Sequence, residues 1–568
     1  MSKIIYACAR DPSQSAALAR QLAVIGDRLV PDNLPRVLPH IVADGGVAVC
    51  ITNPSDLITV RGSSLAAGHL IDAGAWELPR SSAPDGSYAL FRCDDGVVEI
   101  VSDKVASRTV WYAITDQLFV ASTSQRAVVA LLGSFEFNHA VIPWMLVNGI
   151  LGPGLSWDKR ICCVPGATSL VLDRKAWTLK AHTEPVRFTP DLLPESEHHD
   201  RVVDALRHAV GAARVADSQW AIALSGGVDS RIILCCLKNT QGLRAVTWGL
   251  RASRKDMSND AYIALRLARH FGLEHQYFET DLSPEPLDRV FERFVANGEG
   301  RIDRISGYAD GFDLWRQLVQ NGVRGVIRGD HCFGRSTVRT PLEVHSLIGV
   351  LGWSAVPGLP PLDHFDLSAQ QRPDWLDQRA DESLETWRDR IWQQYRVPYF
   401  LGALTDLKLA CVEVISPLLS NSLIDLIRRL PDPLRTNKLL LRRIALELSP
   451  WIPYARSAAV QSRDEILRSG EAIELFHDSL SGSGLGCAVP PKLAAYALHA
   501  LAELPAKRRS GFGKRMKRKF KARVPAWAYP KRVKAIPPPS LDGHRLAFRT
   551  YLVSRATRLL SDDADCLR

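Results

Sequence analysis

A chain of 568 residues that is 46% hydrophobic and 23% charged has the balance of ordinary globular proteins, with apolar mass for two or three cored domains, which excludes disordered and fibrous classes. The formal net charge of +10 is concentrated, because residues 507–534 hold thirteen Lys and Arg and no Asp or Glu, which leaves −3 for everything else. A nearly neutral body with one basic segment argues against a nucleic-acid binder as a whole and for a local acidic partner of that segment: nucleic acid, an acidic peptide or anionic lipid. Phe512, Met516 and Phe520 recur at spacing four among the lysines, so a solvated helix face is the plain alternative.

The first twenty residues lack the apolar run of a signal peptide, and no stretch reaches the roughly eighteen uninterrupted apolar positions of a membrane span. A cytoplasmic location is expected. The eleven cysteines stand as singles or as the adjacent pairs Cys162-Cys163 and Cys235-Cys236, with no C-x-x-C spacing, which fits buried thiols in a reducing compartment.

In chain order, residues 1 to about 185 read as β-rich. Short runs at Val47–Ile51, Tyr88–Phe91 and Val97–Val101 are punctuated by Asp44-Gly45, Asp85-Gly86 and Asp95-Gly96, pairs that favour hairpin turns. After a polar, Pro-containing stretch from Thr189 to His199 the period changes. A helical pattern through Val202, Leu206 and Val210 precedes a strand at Trp220–Leu224. A second strand, Ala245–Trp248, is followed by a helix with Tyr262, Leu265 and Ala268, and a third, Val323–Ile327, follows the amphipathic Phe312–Leu318. This alternation predicts a parallel sheet with helices on both faces. From about Leu384 the pattern is helical, with a last helix near Leu546–Leu560. The expected divisions are 1–190, 195–505 and a basic C-terminal segment, 506–568.

The sharpest chemical signal is Leu224-Ser225-Gly226-Gly227-Val228-Asp229-Ser230, set between a buried strand and a helix. Such a turn is expected to present unsatisfied backbone N–H groups, and the helix start adds partial positive charge, so the segment reads as an anion cradle. The glycines allow close approach of a phosphate, and Ser225 and Ser230 offer hydroxyls. An acid at Asp229 repels phosphate unless a cation lies between them, which implies Mg²⁺.

Ser225–Ser230 resembles the pyrophosphatase loop of the ATP pyrophosphatases, and its surroundings resemble the asparagine synthetase family with its β-lactam synthetase and lasso-peptide cyclase relatives. Asp85–Leu90 is similar to the family's D-G-x-[FY]-A-[FL], and Ser102–Arg108 to [RS]-D-x-x-[GA]-x-[RK]. Ser258-Asn259-Asp260 is similar to S-P-D, Glu413–Leu419 to E-x-R-x-P-F-L and Lys438–Arg442 to K-x-x-L-R. The resemblance, over roughly residues 80–450, implies an α/β chain: a degenerate glutaminase-like (Ntn-type) β-rich sandwich followed by a doubly wound, parallel-sheet synthetase domain. It also implies ATP and Mg²⁺. Leu224, Ser225, Gly226, Gly227, Asp229, Ser230, Trp248 and Gly329 would then hold the nucleotide, with Trp248 equally placed for core packing. Asp229 and Asp330 would hold the metal. Lys438 is the candidate cation for a developing oxyanion, or else a surface lysine. Glu413 would orient that lysine or deprotonate the amine, or else sit in a buried ion pair.

Two departures narrow the reading. Position 2 is Ser2, where glutamine-dependent members carry a nucleophilic cysteine, so the first domain is expected to lack glutaminase activity and the amine to belong to the substrate. The segment Arg328-Gly329-Asp330-His331-Cys332-Phe333-Gly334 is two residues shorter than the family's G-x-G-x-D-E-x-F-G, which leaves the partner of Glu413 unassigned. The expectation is an ATP-dependent ligase forming amides through an acyl-adenylate, leading with macrolactam closure of an acidic precursor peptide. That reaction would admit a peptide-delivering or protease partner protein. Asparagine synthetase-like or β-lactam synthetase-like chemistry on a small carboxylate and amine is the alternative, and an RNA-modifying ATP pyrophosphatase the more distant one.

Overall fold

A computed structural model describes residues 3–213, 219–460, 465–482, 488–502 and 540–568. The first 183 residues supply twelve strands: β1 (Lys3–Ala9), β2 (His40–Asp44), β3 (Val47–Thr52), β4 (Ile58–Arg61), β5 (Ser64–Ile71), β6 (Asp85–Cys93), β7 (Val97–Ser102), β8 (Trp111–Ile114), β9 (Leu118–Ser122), β10 (Cys162–Cys163), β11 (Thr168–Asp173) and β12 (Thr178–Thr183). They form two antiparallel six-stranded sheets, ordered β10-β8-β9-β1-β3-β2 and β12-β11-β7-β6-β5-β4. Strands β1 and β3 are buried along their whole length, and the period of two shows why. Ile4, Tyr6 and Cys8 meet Leu65, Phe91 and Ile100 of the other sheet. Ile5, Ala7 and Ala48 face the helix Ser15–Arg28 through Leu18, Leu22 and Ile25. The first sheet is therefore covered on both sides, which explains apolar runs where a sandwich with a bare face would alternate.

Two of the three Asp-Gly pairs turn hairpins as expected. Asp44 ends β2 and the chain reverses through Gly45 and Gly46, both at positive φ. Asp94 accepts the N–H groups of Gly96 (2.8 Å) and Val97 (2.7 Å) to close the β6–β7 turn. The third is a correction: Asp85-Gly86 opens β6 and pairs with Leu70 and Ile71. Gly86 has φ +136°, and a Cβ there would lie 2.1 Å from the His69 carbonyl oxygen, so the glycine serves the close passage of two strands.

The second part holds five parallel strands, β13 (Trp220–Ala223), β14 (Arg244–Gly249), β15 (Glu274–Glu279), β16 (Gly325–Ile327) and β17 (Glu413–Ile415), ordered β15-β14-β13-β16-β17. The order runs outward in both directions from β13, the doubly wound arrangement. Strand β16 begins two residues later than its apolar run suggests. Gly325 is its first residue, and a Cβ there would fall 2.3 Å from the Trp220 ring, so the strand starts where it can pass that indole.

The family-like motifs of the first domain serve the seam between the domains. Asp103 accepts the N–H groups of Tyr88 (2.8 Å), Val105 (3.0 Å) and Ser107 (3.1 Å), which shapes the loop carrying Lys104 and Arg108. From that loop the Lys104 N–H donates to Asn421 (2.9 Å) and Arg108 reaches Glu413. Asp85 accepts the N–H of Ser422 (3.0 Å). The chain's last helix, Gly543–Ala564, spans the same seam. Its Arg549 pairs with Asp303 (2.7 Å) and donates to the carbonyls of Leu146 and Val147. Its Asp563 takes Arg126 (2.7 Å) and Arg28 (2.6 Å). Of the expected segment 506–568, Gly543–Ala564 forms this helix, and the basic stretch 507–534 lies outside the described residues.

Candidate active site

In an open parallel sheet, ligands bind beyond the carboxyl ends of the strands, where neighbouring connections depart in opposite directions. Here that point falls between β13 and β16. The loop after β13 is Leu224–Gly227 and the loop after β16 is Arg328–Asp330. They lie so close that a Cβ on Gly329 would be 2.8 Å from the Asp229 Cβ and 3.1 Å from the Ser230 nitrogen. A cleft of about 260 Å³ opens between them. Of the residues expected to hold a nucleotide, Leu224, Ser225, Asp229, Ser230, Trp248 and Gly329 line it, as does Asp330.

Gly226 and Gly227 shape the loop from behind the cleft. A Cβ on Gly226 would meet Ala455 at 2.5 Å and Ile263 at 2.9 Å, so only glycine lets the turn seat against the helix Asp260–His270. The cradle differs from expectation in one respect. Three of its N–H groups already have partners: Ser225 N donates to Ser230 Oγ (3.0 Å), Gly226 N to Asp260 Oδ1 (3.0 Å) and Gly227 N to Ser225 Oγ (3.2 Å). A hydroxyl can rotate away in favour of a phosphate oxygen, whereas a carboxylate cannot, so Asp260 fixes the loop's shape and the serines adapt. Gly227 then begins the helix Val228–Cys236 with no side-chain cap.

Asp229 is the electrostatic centre. Both its oxygens accept from Lys438 Nζ, at 2.8 and 2.7 Å, and His331 Nε2 lies 3.8 Å away. Burial opposes its ionisation, yet His331 where acid protonates it, together with Lys438 and Arg335, holds the carboxyl below its ordinary range. Burial lowers His331 to about 4, so the ring is neutral at pH 7 and Lys438 is the pairing cation. Lys438 reaches the site through an unusual backbone: Asn437 (φ +57°) and Lys438 (φ +58°) are both left-handed, immediately before the helix Leu439–Leu448. Two adjacent non-glycine residues in that region cost about 1–3 kcal/mol each, a cost met at functional positions. The surface-lysine alternative does not hold, because its side chain is 15% exposed and committed to Asp229.

Asp330 is paired within its own loop, to Arg328 Nε at 3.1 Å. Burial opposes its charge as well, and Arg328, with Lys408 and His331 behind it, more than offsets this. Two carboxylates on one cleft are the hard oxygen donors that Mg²⁺ takes one or two at a time, with phosphate and water completing the shell. The donor chemistry fits a magnesium nucleotide, provided that Lys438 and Arg328 turn from carboxylate to phosphate. Among the described residues no group of three or more His, Cys, Asp or Glu converges as a metal cage.

Glu413 is fully buried and belongs to Arg108, at 2.8 and 3.4 Å. The geometry gives it the buried-ion-pair reading and does not bring it to Lys438. Trp248 lines the cleft while its ring packs edge-on against Trp315 at 5.5 Å, so both readings of it stand together. Sequence reasoning missed Arg328, Asp260 and the wall Ala458–Val460. Asp260 had a signal in Ser258-Asn259-Asp260. The wall had none, being about two hundred residues from the loop it covers. Arg231, fully buried, holds the chain leading to that wall by donating to the carbonyls of Ile452 (2.6 Å) and Pro453 (3.0 Å).

The contact at Gly329 makes a sharp expectation. Gly329→Ala forces its loop away from Asp229, an overpacking cost of about 1–3 kcal/mol. Calorimetric affinity for a non-hydrolysable ATP analogue should fall about tenfold or more. Unchanged affinity would mean that the two loops do not meet as described.

A glycine-bearing turn and two acids at the switch point of a doubly wound parallel sheet define an α/β class whose ligands bind at that point. Residues 201–330, under a quarter of the chain, match the family model for asparagine synthase. That match supports an ATP-dependent, amide-forming ligase activity in general terms. No curated protein matches the chain. Among solved structures, the chain is similar to one titled "Structure of the allosteric regulatory enzyme of purine biosynthesis", 10% identical, over 50% of this chain and 82% of that one, with a TM-score of 0.21. Another is the B. subtilis glutamine phosphoribosylpyrophosphate amidotransferase complexed with ADP and GMP, 9% identical, over 50% and 83%, with a TM-score of 0.19. At those TM-scores neither likeness bears on fold or function. No helix among the described residues is long and apolar enough to cross a membrane.

Proposed function

We propose that the chain is an ATP-dependent carbon–nitrogen ligase that adenylates a substrate carboxylate and couples it to an amine. The observation that carries this is the Asp229–Lys438 pair, 2.7 Å apart, poised between the loop Ser225–Ser230 and Gly329. An unpaired lysine would suit any phosphate. One held by a cleft acid stands ready to be released when a magnesium nucleotide takes that acid.

In this reading Ser225 and Ser230 turn their hydroxyls to the β- and γ-phosphates, and the helix Val228–Cys236 directs its N-terminus at the same oxygens. Asp229 and Asp330 would hold Mg²⁺, whose chemistry is charge neutralisation on the leaving pyrophosphate. A carboxylate oxygen attacks the α-phosphorus, the bond from that phosphorus to the β-bridging oxygen breaks, and pyrophosphate leaves. The amine then attacks the carbonyl carbon of the acyl-adenylate, AMP departs, and the amine proton is lost to solvent. Lys438, released from Asp229, is the cation this reading assigns to the developing oxyanion. Glu413, tied to Arg108, positions β17 at the domain seam and takes no proton.

For substrate class, the reading that leads is macrolactam closure of an acidic precursor peptide by its own N-terminal amine, of the lasso-peptide type. Its support is sequence alone: Ser2 in place of a glutaminase cysteine, a position outside the described residues. A peptide-delivering or protease protein would be the natural partner, and the stretch 507–534 a contact for an acidic one. The test is release of AMP and pyrophosphate with candidate acidic peptides, with aspartate plus ammonia, and with RNA. A peptide-dependent reaction giving a product lighter by one water supports cyclisation. Activity only with aspartate and ammonia replaces it with synthetase chemistry, and ADP with phosphate as products would overturn adenylation altogether.

A further inference from the structure

An open groove of about 600 Å³ lies between the helix Asp260–His270 and the turn 450–452. Tyr262, Arg266 and Arg269 recur at spacings of four and three, so they share one face of the helix, and with His270 they line the groove. Arg266, Arg269 and His270 are exposed, and neither arginine has an ion pair or a side-chain hydrogen bond with another described residue. No acidic residue lines the groove, so its positive charge is uncompensated.

Trp451 supplies the other side, and alone among the described tryptophans it is exposed, with its whole surface in water. Tyr262, Pro450 and Ile452 are half-buried beside it, which makes an apolar patch rimmed by positive charge, the form of a contact surface. The turn is fixed from within. The Ile452 N–H donates to the Pro450 carbonyl (2.7 Å), closing a tight turn with Trp451 at its tip. Arg231 holds the Ile452 and Pro453 carbonyls while its guanidinium lies 4.1 Å from the centre of the Tyr454 ring, and the Ala455 N–H donates to Gly226 (3.0 Å).

Both sides of the groove lead to the adenylation cleft. The helix begins at Asp260, which lines the cleft, and the chain after the turn reaches the wall Ala458–Val460. Arg266 and Arg269 lie six and nine residues beyond Asp260, about 9 and 14 Å along the helix. An extended peptide covers that distance in about three to four residues.

We propose that this groove docks a peptide substrate by an acidic segment about three to four residues from the carboxylate being activated, with an aromatic side chain of that segment packed on Trp451. The inference rests on the adenylating, peptide-directed reading of the cleft. Carboxylates of the segment pair with Arg266 and Arg269, and the anchoring ring lies between Trp451 and Tyr262. The sign of the charge excludes the chain's own basic stretch 507–534 as the occupant. A nucleic-acid strand fits less well, because it needs a track of cations along its phosphates and the groove offers two arginines and a histidine.

The test uses the full chain and the fluorescence anisotropy of a labelled peptide carrying one Asp and, four residues away, a Phe between two Glu. Wild type should bind it with salt-sensitive affinity. Trp451→Ala should weaken binding about tenfold or more, and Arg266→Gln combined with Arg269→Gln about fivefold, with most of the salt dependence lost. A peptide with Gln in place of both Glu should bind wild type as weakly as the acidic peptide binds the arginine variant. All three side chains are exposed, so a non-hydrolysable ATP analogue should bind each variant like wild type. No binding of the acidic peptide by wild type, or equal binding by wild type and variants, would overturn the docking site. An RNA oligonucleotide that binds wild type more tightly than the peptide and is lost in the same variants would overturn it in favour of a nucleic-acid surface. The adenylating reading fails separately: acidic peptide held at the groove by a wild type that does not bind the ATP analogue would keep the docking surface and remove the ligase.

Discussion

Asp229→Ala is expected to cut substrate-dependent pyrophosphate release by about 10²–10³-fold, the scale seen when one preorganised electrostatic contact to a transition state is removed. Lys438→Met should fall by a similar factor. Because Asp229 takes Lys438 with both its oxygens, the two act as a unit, and the double variant should be scarcely worse than either single one. Additive losses would show that the pair is incidental. Lys438→Arg should keep part of the rate, having the charge without the compact ammonium.

The pH dependence separates the partners. Burial lowers Lys438 below its ordinary 10.5, and Asp229 only partly restores it. Its proton is therefore lost as pH rises through a value below 10.5, and the rate should decline there. Lys438→Arg should move that decline upward. Asp229 is likewise lowered, below 3.8. Its contribution to stability is fully present above 3.8 and is lost as pH falls through the lower folded value, so the pair stays intact at neutral pH. A rate profile identical in wild type and Lys438→Arg would remove the lysine from the chemistry.

Arg108→Met is expected to have the largest effect on stability. It strands Glu413, a carboxylate with no exposed surface, and breaking a buried pair from one side costs about 3–5 kcal/mol. The two residues lie 305 positions apart, so the damage falls on the seam between the sandwich and the parallel sheet. Denaturant unfolding followed by two probes should resolve into separate transitions in the variant, each domain unfolding by itself. Replacing both residues, with Arg108→Met and Glu413→Met, should recover most of the loss, since no charge is left unpaired. If the double variant is as unstable as the single one, the interaction is packing and not charge.

Part of the site is legible in the amino-acid sequence. The run Trp220–Leu224, the glycines after it and the helix behind them specify a strand, a turn and a helix locally, and Asp229 in that turn already demands a cation. The contact of Asp229 with Lys438 is not legible there, because the distance between them is closed by folding and by two left-handed residues that no side-chain pattern announces. Asp85-Gly86 misleads for a similar reason. Its composition is that of a turn, and only the neighbouring strand reveals a glycine chosen for close passage.

The class of sheet, the glycine-bearing turn after Leu224 and the acid Asp229 beside it follow from sequence alone, since each depends on a pattern a few residues long. The pairings follow only from the packed chain: Lys438 with Asp229, Arg108 with Glu413, and Asp563 with Arg28 and Arg126. The physical reason is that a buried charge takes whichever partner folding brings within about 3 Å, and that choice carries no local periodicity to read.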